Sequence, residues 1–223
     1  MSQADPHPHQ ALGAEVVRVY RRYAEEVVEA LGFCPYAARC RLEGHTREVV
    51  VFDVEPTVTS LMPIVHALAA DTNVEVGLIL LPCTRADRLA HARLVEQVRR
   101  AHQDEPGGLV MAMEGFHPDA SVDMTNPEKL IPFVRRTPDA TIQLVRLSVL
   151  NQFRRGVQDN GTAFFDPSKM TVDAFLNTTP PKPLHVRIAE ANFETTKRKT
   201  PEAIEAVYED IRRDRDASYG SIR

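Results

Sequence analysis

The 223-residue sequence has no tryptophan, from which nothing functional follows, and only three cysteines, Cys34, Cys40 and Cys83. An odd count at uneven spacing argues against a disulfide framework and for a reducing, cytoplasmic setting. No stretch reaches the roughly 18 consecutive apolar residues of a membrane span, so no membrane partner is expected. Positive charge is not in excess. Lys and Arg number 27 against 31 Asp and Glu, for a net charge of -4, and no basic stripe is present. That argues against nucleic acid as a partner. The opening MSQADPHPHQ lacks the basic and apolar regions of a secretory signal and reads as a disordered tail over residues 1–10. What is present, 43% hydrophobic and 26% charged residues, is ordinary for a globular domain.

The patterning predicts an α/β domain. Val16, Val17, Tyr20, Tyr23, Ala24, Val27, Val28 and Leu31 recur at helical spacing opposite a charged face, and Gly32 ends that helix. The runs REVVVFDV, VEVGLILLP and LVMAMEGF read as strands, with helical segments between them. This order predicts a small parallel or mixed sheet of three or four strands with helices packed on it. The second half reads as helical. The stretch TPDATIQLVRLSVLNQFRRG also alternates like a strand, but Thr137-Pro138-Asp139 resembles a helix start and predicts a helix over 139–154. Thr200-Pro201-Glu202 carries the same signal before a terminal helix. The expected organisation is a tail at 1–10, an α/β core at 11–155, and a loop and helical C-terminal extension at 156–223 packed on the same domain.

Cys34 stands before Pro35 as Thr137 and Thr200 stand before their prolines. At a helix N-cap its sulfur would meet free backbone N–H groups and the positive end of a helix dipole, which favours thiolate. Cys34 is therefore a candidate nucleophile or ligand, or a buried packing residue, which is a common use of free cysteine. Cys40 reads as a core cysteine or a resolving thiol. Cys83 follows a strand directly, where α/β proteins build sites. His117 and Asp119, in EGFHPDASVD, leave the same strand edge as acid, base or ligand, or form a capping turn without chemistry. Asp123, Asp53 and Glu55 lie near that edge. Glu114 is either a paired carboxylate or a metal ligand. Arg135, Arg136 and Arg146 form a basic group. Arg146, between Val145 and Leu147, needs a carboxylate partner or an anionic ligand.

LGFCPYA, LILLP, GFHPDA and RTPDATIQLVRLSVL, together and in this order, resemble a bacterial family known as domain of unknown function 1415. The resemblance covers roughly residues 14 to 155. Tyr36 stands where the family carries Phe, and the tail after residue 155 matches nothing in it. The resemblance draws attention to Cys34, His117 and Arg146 without implying a reaction.

Three functions follow as expectations. In the first, the protein is a small-molecule enzyme in which a Cys34 thiolate and His117, assisted by Asp119, face one cleft. Arg136 or Arg146 then holds a substrate that can be anionic. In the second, Cys34, His117 and Glu114 are metal or haem ligands. In the third, the protein is a non-catalytic binding or scaffold protein.

Overall fold

The computed structural model describes residues 8–151 and 182–221. Helix α1 (Pro8–Tyr23) opens the fold, and so begins inside the segment expected to be a tail; residues 1–7 lie outside the described residues. Leu12, Val16, Val19, Tyr20 and Tyr23 are buried along one stripe of it. The chain then widens into a π-helical turn, Ala24–Glu29, in which Ala30 N–H reaches Glu25 O (3.1 Å) and Phe33 N–H reaches Val28 O (2.8 Å). Gly32, at φ +67°, ends the helical run as expected. A short helix α2 (Ala37–Leu42) follows.

Four strands form one mixed sheet in the order β1-β2-β4-β3. Strand β1 (Thr46–Val50) runs parallel to β2 (Val76–Leu81), joined through α3 (Val58–Ala70). Helix α4 (Arg88–Gln103), capped by the Asp87 carboxylate accepting from Ala90 N–H, leads to β3 (Met111–Phe116). Helix α5 (Pro127–Val134) leads to β4 (Ala140–Arg146), which is antiparallel to both β2 and β3. Of the parallel or mixed sheet of three or four strands expected, the sheet is mixed and has four strands. Helices α6 (Leu184–Lys199) and α7 (Pro201–Gly220) supply the helical C-terminal region. The loop expected ahead of the helices in the 156–223 extension lies largely outside the described residues, which resume at residue 182.

The layers follow from the strand alternation. Met111, Met113, Ile79, Leu81, Ile142 and Leu144 point to one face and pack with Leu61, Val65 and Leu68 of α3 and Val95 and Val98 of α4. Val76, Leu78 and Leu80 point to the other face. Their core is completed by Val16, Tyr20 and Val27, by Leu130 and Phe133 of α5, and by Phe193, Ile204 and Tyr208 of α6 and α7. Helix α7 is clamped to α1 by charge: Arg18 Nη1 and Nη2 reach Asp214 at 2.8 and 2.7 Å, and Arg22 bonds both Asp214 (2.7 Å) and Asp210 (2.9 Å). These guanidinium groups hold the Asp214 carboxyl well below the usual carboxylate range.

The helix expected over 139–154 is a correction. Residues 140–146 are strand, and helix begins only at 147. At Thr200 the start signal works, because Ala203 N–H donates to Thr200 Oγ1 (3.3 Å). At Thr137 it does not. Both the Thr137 and Thr141 hydroxyls donate to Asp139 O (2.7 and 2.9 Å), and the Asp139 carboxylate is taken by Arg215 Nε (2.8 Å) and the Tyr219 hydroxyl (2.6 Å). No side chain is left to cap a helix. The β-branched, apolar run that follows gains more by filling the gap between β2 and β3.

Removing the Asp139 carboxylate leaves the buried Tyr219 hydroxyl unpaired and Arg215 with Asp216 alone. Asp139→Ala should cost about 3 kcal/mol in urea unfolding, as breaking a buried pair does. A loss below about 1 kcal/mol would show that the clamp contributes little.

Candidate functional site

The π turn and Gly32 deliver Phe33, Cys34, Pro35 and Tyr36 to the edge of a cavity of about 460 Å³. Its floor is the sheet face opposite α3 and α4: Thr46 and Glu48, Val76 and Leu78, Gln143 and Val145, and Ala112, Glu114 and Phe116. Tyr20, Tyr23, Ala24 and Val28 form one wall. Leu130 and Ile131 of α5, Arg135 just after it, and Leu184, Ile188 and Asn192 of α6 complete it. The volume suits a small organic ligand.

Cys34 lies in this cavity, but not as an N-cap. That position belongs to Tyr36, two residues later, which makes no side-chain cap. The Cys34 sulfur is hydrogen-bonded by the Tyr36 and Ala37 backbone N–H groups and by the Tyr36 side chain, all of which favour thiolate. Burial outweighs them and pushes the thiol up, so the expected resting thiolate is corrected to a protonated thiol. Burial likewise raises the neighbouring Tyr20 and Tyr36 phenols. Cys40 is a buried structural residue. Its Sγ donates to Glu75 Oε2 (3.2 Å), Arg39 bonds the same carboxylate, and burial beside that charge pushes the Cys40 thiol up to about 12. Cys83 is half-buried and does not line the cavity.

His117 is not brought to Cys34. It follows Phe116, which lines the cavity, and strand alternation turns its ring to the α4 face, 5.7 Å from the ring of His91. There it is 6% exposed, its Nε2 donating to Ala86 O (3.1 Å) and its Nδ1 accepting from Asp119 N–H (3.2 Å). This is a His-Pro-Asp turn, and the expected common cleft is corrected: the sheet separates the two residues. The Asp119 carboxylate is exposed, 3.8 Å from His117 Nδ1. Asp123 accepts from Thr125 N–H in a local turn, and Asp53 and Glu55 are exposed. Cys34 and Glu114 share the cavity with His117 outside it, and Glu114 is paired with Arg135 at 2.6 Å. No group of three His, Cys, Asp or Glu among the described residues is placed to hold a metal ion, so the expected ligand set is not assembled.

The two arginines expected to hold substrate are engaged within the protein. Arg136 bonds Glu205 (2.6 Å) and Pro118 O (3.0 Å), beside the rings of Phe133 and Tyr208. Arg146 is paired with no carboxylate among the described residues. Its guanidinium donates to Val74 O and Asp71 O (both 2.7 Å) and to Ala69 O (3.2 Å), satisfying carbonyls at the C-terminal end of α3. The residues that sequence reasoning missed are Tyr20, Tyr36, Glu48 and Gln143. Gln143 did leave a signal, as a lone amide inside the apolar run ATIQLV. It was obscured by reading that run as a helix.

Two outcomes follow. Arg146→Lys, which loses the planar fork, should destabilise the fold by about 2 kcal/mol in thermal unfolding. It should leave the rate of Cys34 alkylation unchanged; an altered rate with normal stability would put Arg146 back at the site. Iodoacetamide labelling of Cys34, followed by peptide mass spectrometry, should reach its half-point above the free thiol's roughly 8.5, with no change in His117→Asn. Because the folded value is raised, the thiol's contribution to stability is intact below that pH and is lost as the pH climbs through the folded value. A half-point at or below 8.5, or one moved by His117→Asn, would contradict this geometry.

No curated protein and no solved structure matches the sequence. A family model does, over residues 15–166, a span that takes in Cys34 and all four strands and leaves α6 and α7 outside. The chain belongs to the family described as protein of unknown function DUF1415.

Proposed function

We propose that the protein is a small-molecule enzyme whose substrate occupies the cavity on the α1 side of the sheet and whose Cys34 thiol is the reacting group, without His117. The observation that carries this reading is the convergence of Cys34, Tyr20, Tyr36 and Gln143 on one cavity with otherwise largely apolar walls. Binding sites combine an apolar enclosure with a few placed polar groups in this way.

A protonated thiol needs a base before it can attack. Glu29, at the end of the π turn, lines the cavity, and its negative charge reaches Cys34. It is the candidate acceptor for the thiol proton. Two backbone N–H groups and the Tyr36 side chain already surround the sulfur and would stabilise the thiolate once formed. Substrate binding that displaces water from the cavity strengthens these same contacts.

The neutral fluorophore N-phenyl-1-naphthylamine tests the reading. It should bind with one-to-one stoichiometry and slow iodoacetamide labelling of Cys34 at least tenfold while leaving Cys83 unaffected. Ala112→Phe, which fills the floor, should abolish both effects. Binding that leaves Cys34 labelling unchanged, or that survives Ala112→Phe, would sink the proposal.

A further inference from the structure

The register of the sheet lays the cavity floor out in rows. Glu48 pairs with Leu78, Leu78 with Gln143, and Gln143 with Glu114, so these four residues form one line across the strands β1-β2-β4-β3. The adjacent row is Thr46, Val76, Val145 and Ala112, which is almost wholly apolar. Each end of the polar line is closed by an ion pair: Arg21 to Glu48 (2.9 Å) and Arg135 to Glu114 (2.6 Å). The third arginine and third glutamate of the lining, Arg41 and Glu29, pair with each other (2.8 Å), and Arg41 also reaches Glu25 (3.0 Å). Among the described residues, the charges of the lining arginines and glutamates therefore cancel within the protein. His185, the remaining basic side chain, is exposed.

What stays available is uncharged. Tyr20 is 7% exposed, lines the cavity, and its hydroxyl has no hydrogen-bond partner among the described residues. Tyr23 differs, because its hydroxyl donates to Val134 O (3.1 Å). Asn192 is likewise engaged, donating to Phe33 O (3.2 Å). Gln143, in the middle of the floor, also has no side-chain partner there. A carboxamide offers two donors and an acceptor, and a phenol offers one of each. A charged ligand on this floor would lose its water without gaining a free counter-charge, whereas an amide-like edge satisfies both groups.

Resting on the reading of the cavity as the substrate site, we infer that the site selects an uncharged molecule. Its apolar body lies on Val76, Leu78 and Val145, and a carboxamide or similar donor–acceptor edge pairs with Gln143 and Tyr20. The arginines lining the cavity among the described residues hold protein carboxylates, so of the substrates the sequence left open, anionic or not, the site takes a neutral one.

Benzamide, benzoate and benzylammonium share one ring and differ in charge, and their displacement of bound N-phenyl-1-naphthylamine at pH 7.5 reads the selection directly. Benzamide should displace the fluorophore at concentrations at least tenfold lower than either ion, and should slow Cys34 labelling in parallel. Gln143→Leu should erase that tenfold preference while the fluorophore still binds. Gln143→Glu, which adds a carboxylate to the floor, should move the preference to benzylammonium. Benzoate displacing as well as benzamide, no displacement by any of the three, or a preference that survives Gln143→Leu would overturn the inference while the cavity reading stands. Failure of the fluorophore to bind would overturn both.

Discussion

Strand β4 is pinned at both ends, and the placement of the site depends on those two attachments. Immediately before it, Asp139 is held by Arg215 and Tyr219 of α7. At its end, Arg146 grips carbonyls of the last turn of α3 and of the turn that follows it. Each attachment joins the strand to a different helical layer. Between them lie six residues, Ala140 to Val145, that must bridge β2 and β3 without slipping. A shift of one residue would exchange the two faces, turning Ile142 and Leu144 into the cavity and Gln143 into the α3–α4 core. A buried, unsatisfied carboxamide costs on the order of 1–3 kcal/mol, so register and site are specified by the same contacts.

The two faces of the sheet are finished differently. On one, α3 and α4 lay Leu61, Val65, Val95 and Val98 directly onto the strands, and the histidines there serve the fold: His91 donates to Thr141 O and His117 to Ala86 O. On the other, α1 crosses, passes into a π turn and stops at Gly32, leaving space over the middle of the sheet. The added residue per turn shifts the helix phase, so that Val27 stays in the core while Val28 and then Cys34 reach the cavity. Widened turns of this kind recur at functional sites. Here the turn brings a thiol over a strand row otherwise built for neutral contacts.

Much of this architecture was legible in the sequence. The alternation of apolar strands and amphipathic helices pointed to a small parallel or mixed sheet with helices packed on it, and Gly32 marked the end of the first helix. The local signal at Thr137-Pro138-Asp139 was misleading because its acid is used by a helix some 76 residues further on, a long-range claim that no local pattern records, while its hydroxyl turns to the Asp139 carbonyl. The same limit applies to the site. Cys34 was legible as a special position, and His117 as a polar residue at a strand end. Which face each occupies depends on strand parity and on what lies opposite, and these are properties of the assembled sheet. The arginines illustrate this most clearly: Arg136 and Arg146 needed partners, as their apolar neighbours implied, but those partners proved to be Glu205 and backbone carbonyls.

The central claim is that the space between the sheet and α1, above Gln143, receives the ligand. A competing hollow of about 290 Å³ lies beside Pro118, Asp119 and Arg136. A crystal soaked with 4-iodobenzamide separates the two through the anomalous signal of iodine. The account predicts one strong iodine peak between the sheet and α1, with the carboxamide within hydrogen-bond reach of Gln143. An iodine peak confined to the hollow at Asp119 and Arg136, with the space above Gln143 empty, would contradict it.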